Sequence, residues 1–237
     1  MSEHISKQFD ADLEAIRSHV MGMAGLVEEQ VRLAMRALVS GDADLIRQVQ
    51  EQELKVNEMH VQIDDMCIHM IARRQPTASD LRMVMTVIKS VEDLERIGDK
   101  AEGISRRTQR IYEAGRLQSP NFQALTHIAN QALDMLAGSL DAFARMDAAR
   151  ASEVCRCDEQ LNREYQSLQR QLITVMMEDP RSITATLDIL WIAKAIERIG
   201  DLAVNVAEQV VYLVKGQDVR HKSAEEVARV ALAPREE

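Results

Sequence analysis

Glu95 and Asp99 stand four residues apart in the stretch LERIGDKAEGI, and Glu197 and Asp201 stand four apart in IERIGDLAVNV. On a helix this spacing makes the two carboxylates of each pair neighbours, a like-charge arrangement that destabilises by ~0.2–0.5 kcal/mol. Basic side chains could offset the repulsion. Arg96 and Arg198 lie inside the motif and Lys100 follows its first copy, so solvated ion pairs, worth little each, are one reading. A cation held between the oxygens is the other. Leu81, Val84, Ile88 and Val91 form a stripe at alternating three- and four-residue spacing that runs on through Glu95 to Gly98. Glu197 continues Ile183, Leu190 and Ala193 in the same way. Such a stripe is the apolar seam of a packed helix, where a carboxylate without a partner is expensive. Gly98 and Gly200 share the seam and let a backbone or a ligand come close. That the whole arrangement occurs twice favours the metal reading.

The segment before each motif supplies further donors. Glu53 and Asn57 are one helical turn apart, as are Asp158 and Asn162. Antiparallel packing would set these pairs opposite Glu95/Asp99 and Glu197/Asp201, giving one oxygen-rich cluster per motif, a donor set suited to hard or borderline divalent cations and to iron. The histidines add no Glu-x-x-His pair, so the di-iron oxidase pattern is missing; His60, one turn from Asn57, reads as a paired or solvated residue. Cys155-x-Cys157 would suit a soft metal but lacks partner ligands. No Ser/His/Asp arrangement, P-loop or dinucleotide fingerprint occurs, and no enzymatic activity is expected.

Positioning these side chains requires long helices. Periodicity predicts them at 4–39, 43–74, 78–113, 120–146, 148–178 and 182–215, each of about 30 residues spanning roughly 45 Å. Asp42, Thr77 with Asp80, Ser119 before Pro120, and Asp147 are start signals; Gly41, Gly115 and Gly216 are stops. ERIGD recurs 102 residues on, at 95 and 197, and Asp42, Val49, Glu53, Asn57 and Ile68 recur 105 residues on as Asp147, Val154, Asp158, Asn162 and Ile173. The chain is therefore a tandem repeat: residues 1–115, residues 116–216, and a tail, 217–237, that is partly helical or disordered and carries the amphipathic SAEEVARVAL. The expected fold is all-α, two three-helix bundles of antiparallel helices related by approximate two-fold symmetry.

Composition narrows the function. A net charge of −9 and a lack of basic stripes exclude a nucleic-acid role. With no run of about 18 apolar residues no membrane insertion is expected, and the start MSEHISKQFDADLEAIRSH lacks the regions of a signal peptide. Three cysteines do not make a disulfide framework. A cytoplasmic protein is expected.

The stretch IARRQPTASDLRMVMTVIKSVEDLERIGDKAEGI, together with AIERIGDLAVNVAEQVVYL, closely resembles the signature of the PhoU family of phosphate-signalling accessory proteins, and the similarity runs from Phe9 to about Lys215. The resemblance implies the doubled three-helix fold and metal clusters at Glu53, Asn57, Glu95 and Asp99, and at Asp158, Asn162, Glu197 and Asp201. The family often carries Asn four residues after the motif Asp. Asn205 keeps it and joins the second set, whereas Gly103 replaces it in the first, so the second site is expected to bind more tightly. Lys100 and Leu202 stand where the family often has His. The resemblance further implies a regulatory adaptor that couples the ATPase subunit of the phosphate ABC transporter to the phosphate sensor histidine kinase. It would repress starvation signalling and uptake when phosphate is plentiful. A homodimer and peripheral recruitment to the membrane through partners are also implied. The metal, divalent or trivalent, is iron, zinc, magnesium or manganese. A metal-free helical interaction module and a di-metal carboxylate enzyme are the alternatives.

Overall fold

The computed structural model describes residues 2–114 and 122–234. Among them are seven α-helices and no strand: α1 (Ser2–Ser40), α2 (Ala43–Arg74), α3 (Ala78–Glu113), α4 (Phe122–Arg145), α5 (Ala148–Glu178), α6 (Ile183–Lys215) and α7 (Ala224–Leu232). A 3-10 turn, Pro180–Ser182, leads into α6.

Local chemistry explains the boundaries. Asp42 caps α2 by accepting from the backbone N–H of Asp44 at 2.8 Å and Leu45 at 3.4 Å, and Asp147 accepts from Arg150 N at 3.0 Å. These bonds satisfy donors that a helix start leaves free. Thr77 differs from expectation: its hydroxyl donates to the Asp80 carboxylate at 3.2 Å and caps no backbone N–H. Gly41 ends α1 with φ +69° and Gly216 ends α6 with φ +73°, the left-handed geometry that glycine takes without strain. At Gly41 a Cβ would lie 2.3 Å from the Tyr112 ring, whose hydroxyl donates to Leu38 O at 3.0 Å and pins the end of α3 to the end of α1. The expected signals at Gly115, Ser119 and Pro120 lie outside the described residues.

Helices α1, α2 and α3 pack on one another, and α4, α5 and α6 do the same. Buried Val27, Val56, Ile63, Val91, Leu94 and Ile97 fill the first bundle, and Leu136, Leu161, Ile192, Ile196 and Ile199 the second. The bundles meet along α3 against α6 and α1 against α4. Arg107 reaches Asp188 at 2.9 Å and stacks on Trp191 at 3.9 Å, while Asn205 donates to Asp93 at 3.3 Å. Later residues of α3 thus face earlier residues of α6. The two helices run antiparallel, and the two ERIGD segments lie side by side in the middle of the seam.

The tail docks. Ser223 and Glu226 form a reciprocal capping box at the start of α7, and Val227, Ala228 and Ala231 bury themselves against α5 and α6. Val219 anchors the connecting loop, and the Lys215 ammonium donates to Ala233 O. No helix of the described residues is long and apolar enough to cross a membrane.

Candidate metal centres

In the first bundle α2 and α3 bring the predicted donors together. Glu53 is 6% exposed. Its Oε2 accepts from Gln30 Nε2 of α1 at 2.8 Å, and the same amide nitrogen reaches Val49 O at 3.3 Å. Burial holds the Glu53 carboxyl above its usual pKa; the Gln30 hydrogen bond opposes this, and the charges of Asp99 and Glu102 add to it. Asn57, one turn on, also pulls the Glu53 carboxyl downward. Glu95 is half-buried and also raised, by burial first and then by Asp99, with His60 and Arg96 pulling the other way. His60 pairs with Asp64 at 3.5 Å. Arg96 turns outward to Glu92 at 2.7 Å.

The second set is assembled by α5 and α6. Burial raises the Asp158 pKa, and Asp201 and Glu197 raise it further. Asn162 donates to Asp158 Oδ2 at 2.8 Å. Glu197, buried on the seam as its position demands, is held by the Lys194 ammonium at 2.6 Å from Oε1, and Asp201 accepts from Arg198 at 3.0 Å. A cleft of about 590 Å³ opens here between the bundles, lined by Arg96 and Lys100 from α3 and by Asp158, Arg198, Asp201 and Asn205.

Asn205 is not devoted to the second set. It lines the cleft with Asp158 and Asp201, yet its amide nitrogen crosses the seam to Asp93 Oδ1. Gly103, which lacks the corresponding side chain, lies under Trp191, where a Cβ would come within 2.6 Å of the ring. Cys155 and Cys157 share no site: Cys155 is buried, its thiol pushed up to about 12 mainly by burial, and Cys157 is exposed.

Among the described residues no three His, Cys, Asp or Glu side chains converge as a ready-made chelate. The carboxylates turn instead to Lys194, Arg198, Gln30 and Asn162. Even so, Glu53 Oε1, Gln30 Oε1 and Asp158 Oδ1 are buried without hydrogen-bond partners. Oxygens of this kind require a donor or a cation. Besides burial, neighbouring carboxylates hold Glu53 and Glu95 up in the first cluster and Asp158 up in the second, and nearby positive charge would relieve that. The donors are oxygens throughout, so the residues fit a hard or borderline ion. Gln30 is the functional candidate that the motif reading passes over. Its signal is the one that marks Glu95: a polar residue on an apolar stripe, here Val20, Met23, Val27, Val31 and Ala34 of α1.

The PhoU domain model matches the chain twice, over residues 20–108 and 125–210. The chain is 48% identical over 222 residues to a phosphate-specific transport system accessory protein PhoU homolog of Pseudomonas putida, covering 93% of this chain and 86% of that one. It is 44% identical over 230 residues to the phosphate-specific transport system accessory protein PhoU of Escherichia coli K12, covering 97% and 95%. The crystal structure of PhoU from Pseudomonas aeruginosa superposes with a TM-score of 0.86 at 46% identity, covering 88% of this chain and 100% of that one. The phosphate transport system regulatory protein PhoU from Streptococcus pneumoniae gives 0.80 at 30% identity, covering 89% and 99%. With both repeats matched and the doubled three-helix fold in place, the chain belongs to the PhoU family.

Proposed function

We propose that this protein is a regulatory adaptor of phosphate homeostasis. In this reading it couples the ATPase subunit of the phosphate ABC transporter to the phosphate sensor kinase, and represses starvation signalling and uptake when phosphate is plentiful. The carrying observation is near-full-length identity to proteins named for accessory and regulatory roles in phosphate transport. The protein acts in the cytoplasm, is recruited to the membrane by its partners, and self-associates as a dimer. The exposed apolar stripe Leu54, Val61 and Ile68 on the outer face of α2 supports self-association; light scattering that finds a monomer at micromolar concentration counts against it. Deleting the gene should switch on a starvation-promoter reporter in phosphate-rich medium, and tagged protein from such cells should retain the kinase and the transporter ATPase. Unchanged reporter output rejects the adaptor role.

Within this reading each bundle holds metal: Glu53, Asn57, Glu95 and Asp99 in the first, and Asp158, Asn162, Glu197 and Asp201 with Asn205 nearby in the second. The buried unpartnered carboxylate oxygens of Glu53 and Asp158 support it. A metal-free interaction module is the second reading, favoured by the ion pairs Lys194–Glu197 and Arg198–Asp201.

A further inference from the structure

Gly98 and Gly200 occupy equivalent places in the two repeats, yet their surroundings differ in kind. A Cβ on Gly98 would lie 2.9 Å from Glu53 Oε2, 3.0 Å from Gln30 Oε1 and 3.3 Å from Val56 Cγ1. On Gly200 it would lie 2.2 Å from Leu161 Cδ2 and 3.6 Å from Met135 Cε. The 105-residue offset that relates Glu53 to Asp158 also relates Val56 to Leu161 and Gln30 to Met135. The first glycine therefore makes room for two oxygens. The second makes room for methyl groups.

From this we infer that Gln30 is a metal ligand of the first centre, supplied by α1 through Oε1, and that the first centre is the tighter of the two. The inference rests on the metal reading above and reverses the affinity order expected from Asn205. Gln30 is fully buried; its nitrogen is engaged by Glu53 and Val49 O, which leaves Oε1 unpartnered and packed against Gly98 next to Glu53 Oε2. An amide oxygen is a neutral hard donor and completes a carboxylate set without adding charge. With Gln30 the first set draws oxygen donors from three helices, although Asn57 and Asp99 lie at the surface. Its counterpart has Met135 in the place of Gln30 and so lacks the third helix's oxygen.

The test titrates Mn2+ into the metal-free full-length chain, counting the free ion by its EPR signal, with Zn2+ competition in parallel. Wild type should show two classes of site, the tighter abolished by Asp99→Ala and the weaker by Asp201→Ala. Gln30→Met, which installs the residue the second repeat already accommodates, should weaken the tighter class at least tenfold and shift the weaker class by less than twofold. Gln30→Glu should retain the tighter class, and Met135→Gln should strengthen the weaker one. If Gln30→Met does not fold, judged by circular dichroism, the other two variants decide. Unchanged binding in Gln30→Met, or equal weakening of both classes, overturns the role of Gln30 while leaving the metal reading intact. Absence of any Mn2+ or Zn2+ binding by wild type overturns both.

Discussion

Asn205 donates its amide to the carboxylate of Asp93 at 3.3 Å, joining α6 of one bundle to α3 of the other. Asp93 is buried, and burial pushes its carboxyl up to about 6 although the Asn205 hydrogen bond opposes the rise. Removing that donor leaves a buried acceptor unsatisfied. Asn205→Ala should therefore cost about 1–3 kcal/mol, and the loss should persist after chelator treatment. Denaturant unfolding of the metal-free variant checks this; a loss that vanishes without metal would make Asn205 a ligand and nothing more.

Glu208 carries a dependence on pH. Burial first, then the charge of Asp218, raises its carboxyl from 4.5 to about 7 in the folded chain, against the opposing pull of Arg220. The folded state therefore binds a proton that the unfolded state releases between those values, and the contribution to stability is full below the unfolded pKa and lost as pH rises through about 7. The denaturation midpoint should fall between pH 5 and pH 8 by less in Glu208→Gln than in wild type. Identical slopes would contradict the assignment.

Arg107 fastens the seam from the other side, through Asp188 and the face of Trp191. Arg107→Ala removes a half-buried ion pair and a cation–π contact, a combined loss of about 1–2 kcal/mol. Trp191 is the single tryptophan, so its fluorescence should shift to the red in the folded variant. No shift would mean that the ring keeps its cover without the guanidinium.

Val227 is the deepest side chain of α7, at 1% exposed. Val227→Asp places an unpaired carboxylate there, which is unfavourable. Since α7 touches only α5 and α6 among the described helices, the expected result is local release. Amide exchange should accelerate over 219–232 and stay slow in α1 to α3; acceleration throughout would make the tail integral to the fold.

Much of this architecture is legible before any coordinates. The bounds of α2, α3 and α5 follow from Asp42, Asp147 and the periodicity, because capping acts within a few residues of the chain. The facing of Glu53 to Asp99 and of Asp158 to Asp201 was readable from the repeat. Helix pairs joined by a short turn can pack only antiparallel, and the offsets keep the donors at matching heights. What escaped depends on contacts between repeats. Gly103 reads as a missing ligand, but it is the floor beneath Trp191. Asn205 reads as an extra ligand, but its nitrogen answers Asp93. Neither partner lies on the same bundle, and no local spacing encodes the register of α3 on α6. Gln30 is the intermediate case: its place on the α1 stripe was visible, and the gap it fills was not.

Whether each repeat holds cations between its second and third helices is open to direct counting. The most direct measurement is the metal counted per chain, by elemental analysis, in natively purified wild type, Asp99→Ala and Asp201→Ala. Each variant should lose the metal of its own repeat and keep that of the other. Chelation should lower the melting temperature of wild type, because a ligand bound to the folded state alone stabilises it. Equal metal content in all three proteins, with melting unmoved by chelator, would contradict the metal reading and leave Glu95, Asp99, Glu197 and Asp201 as ordinary partners of the basic side chains around them.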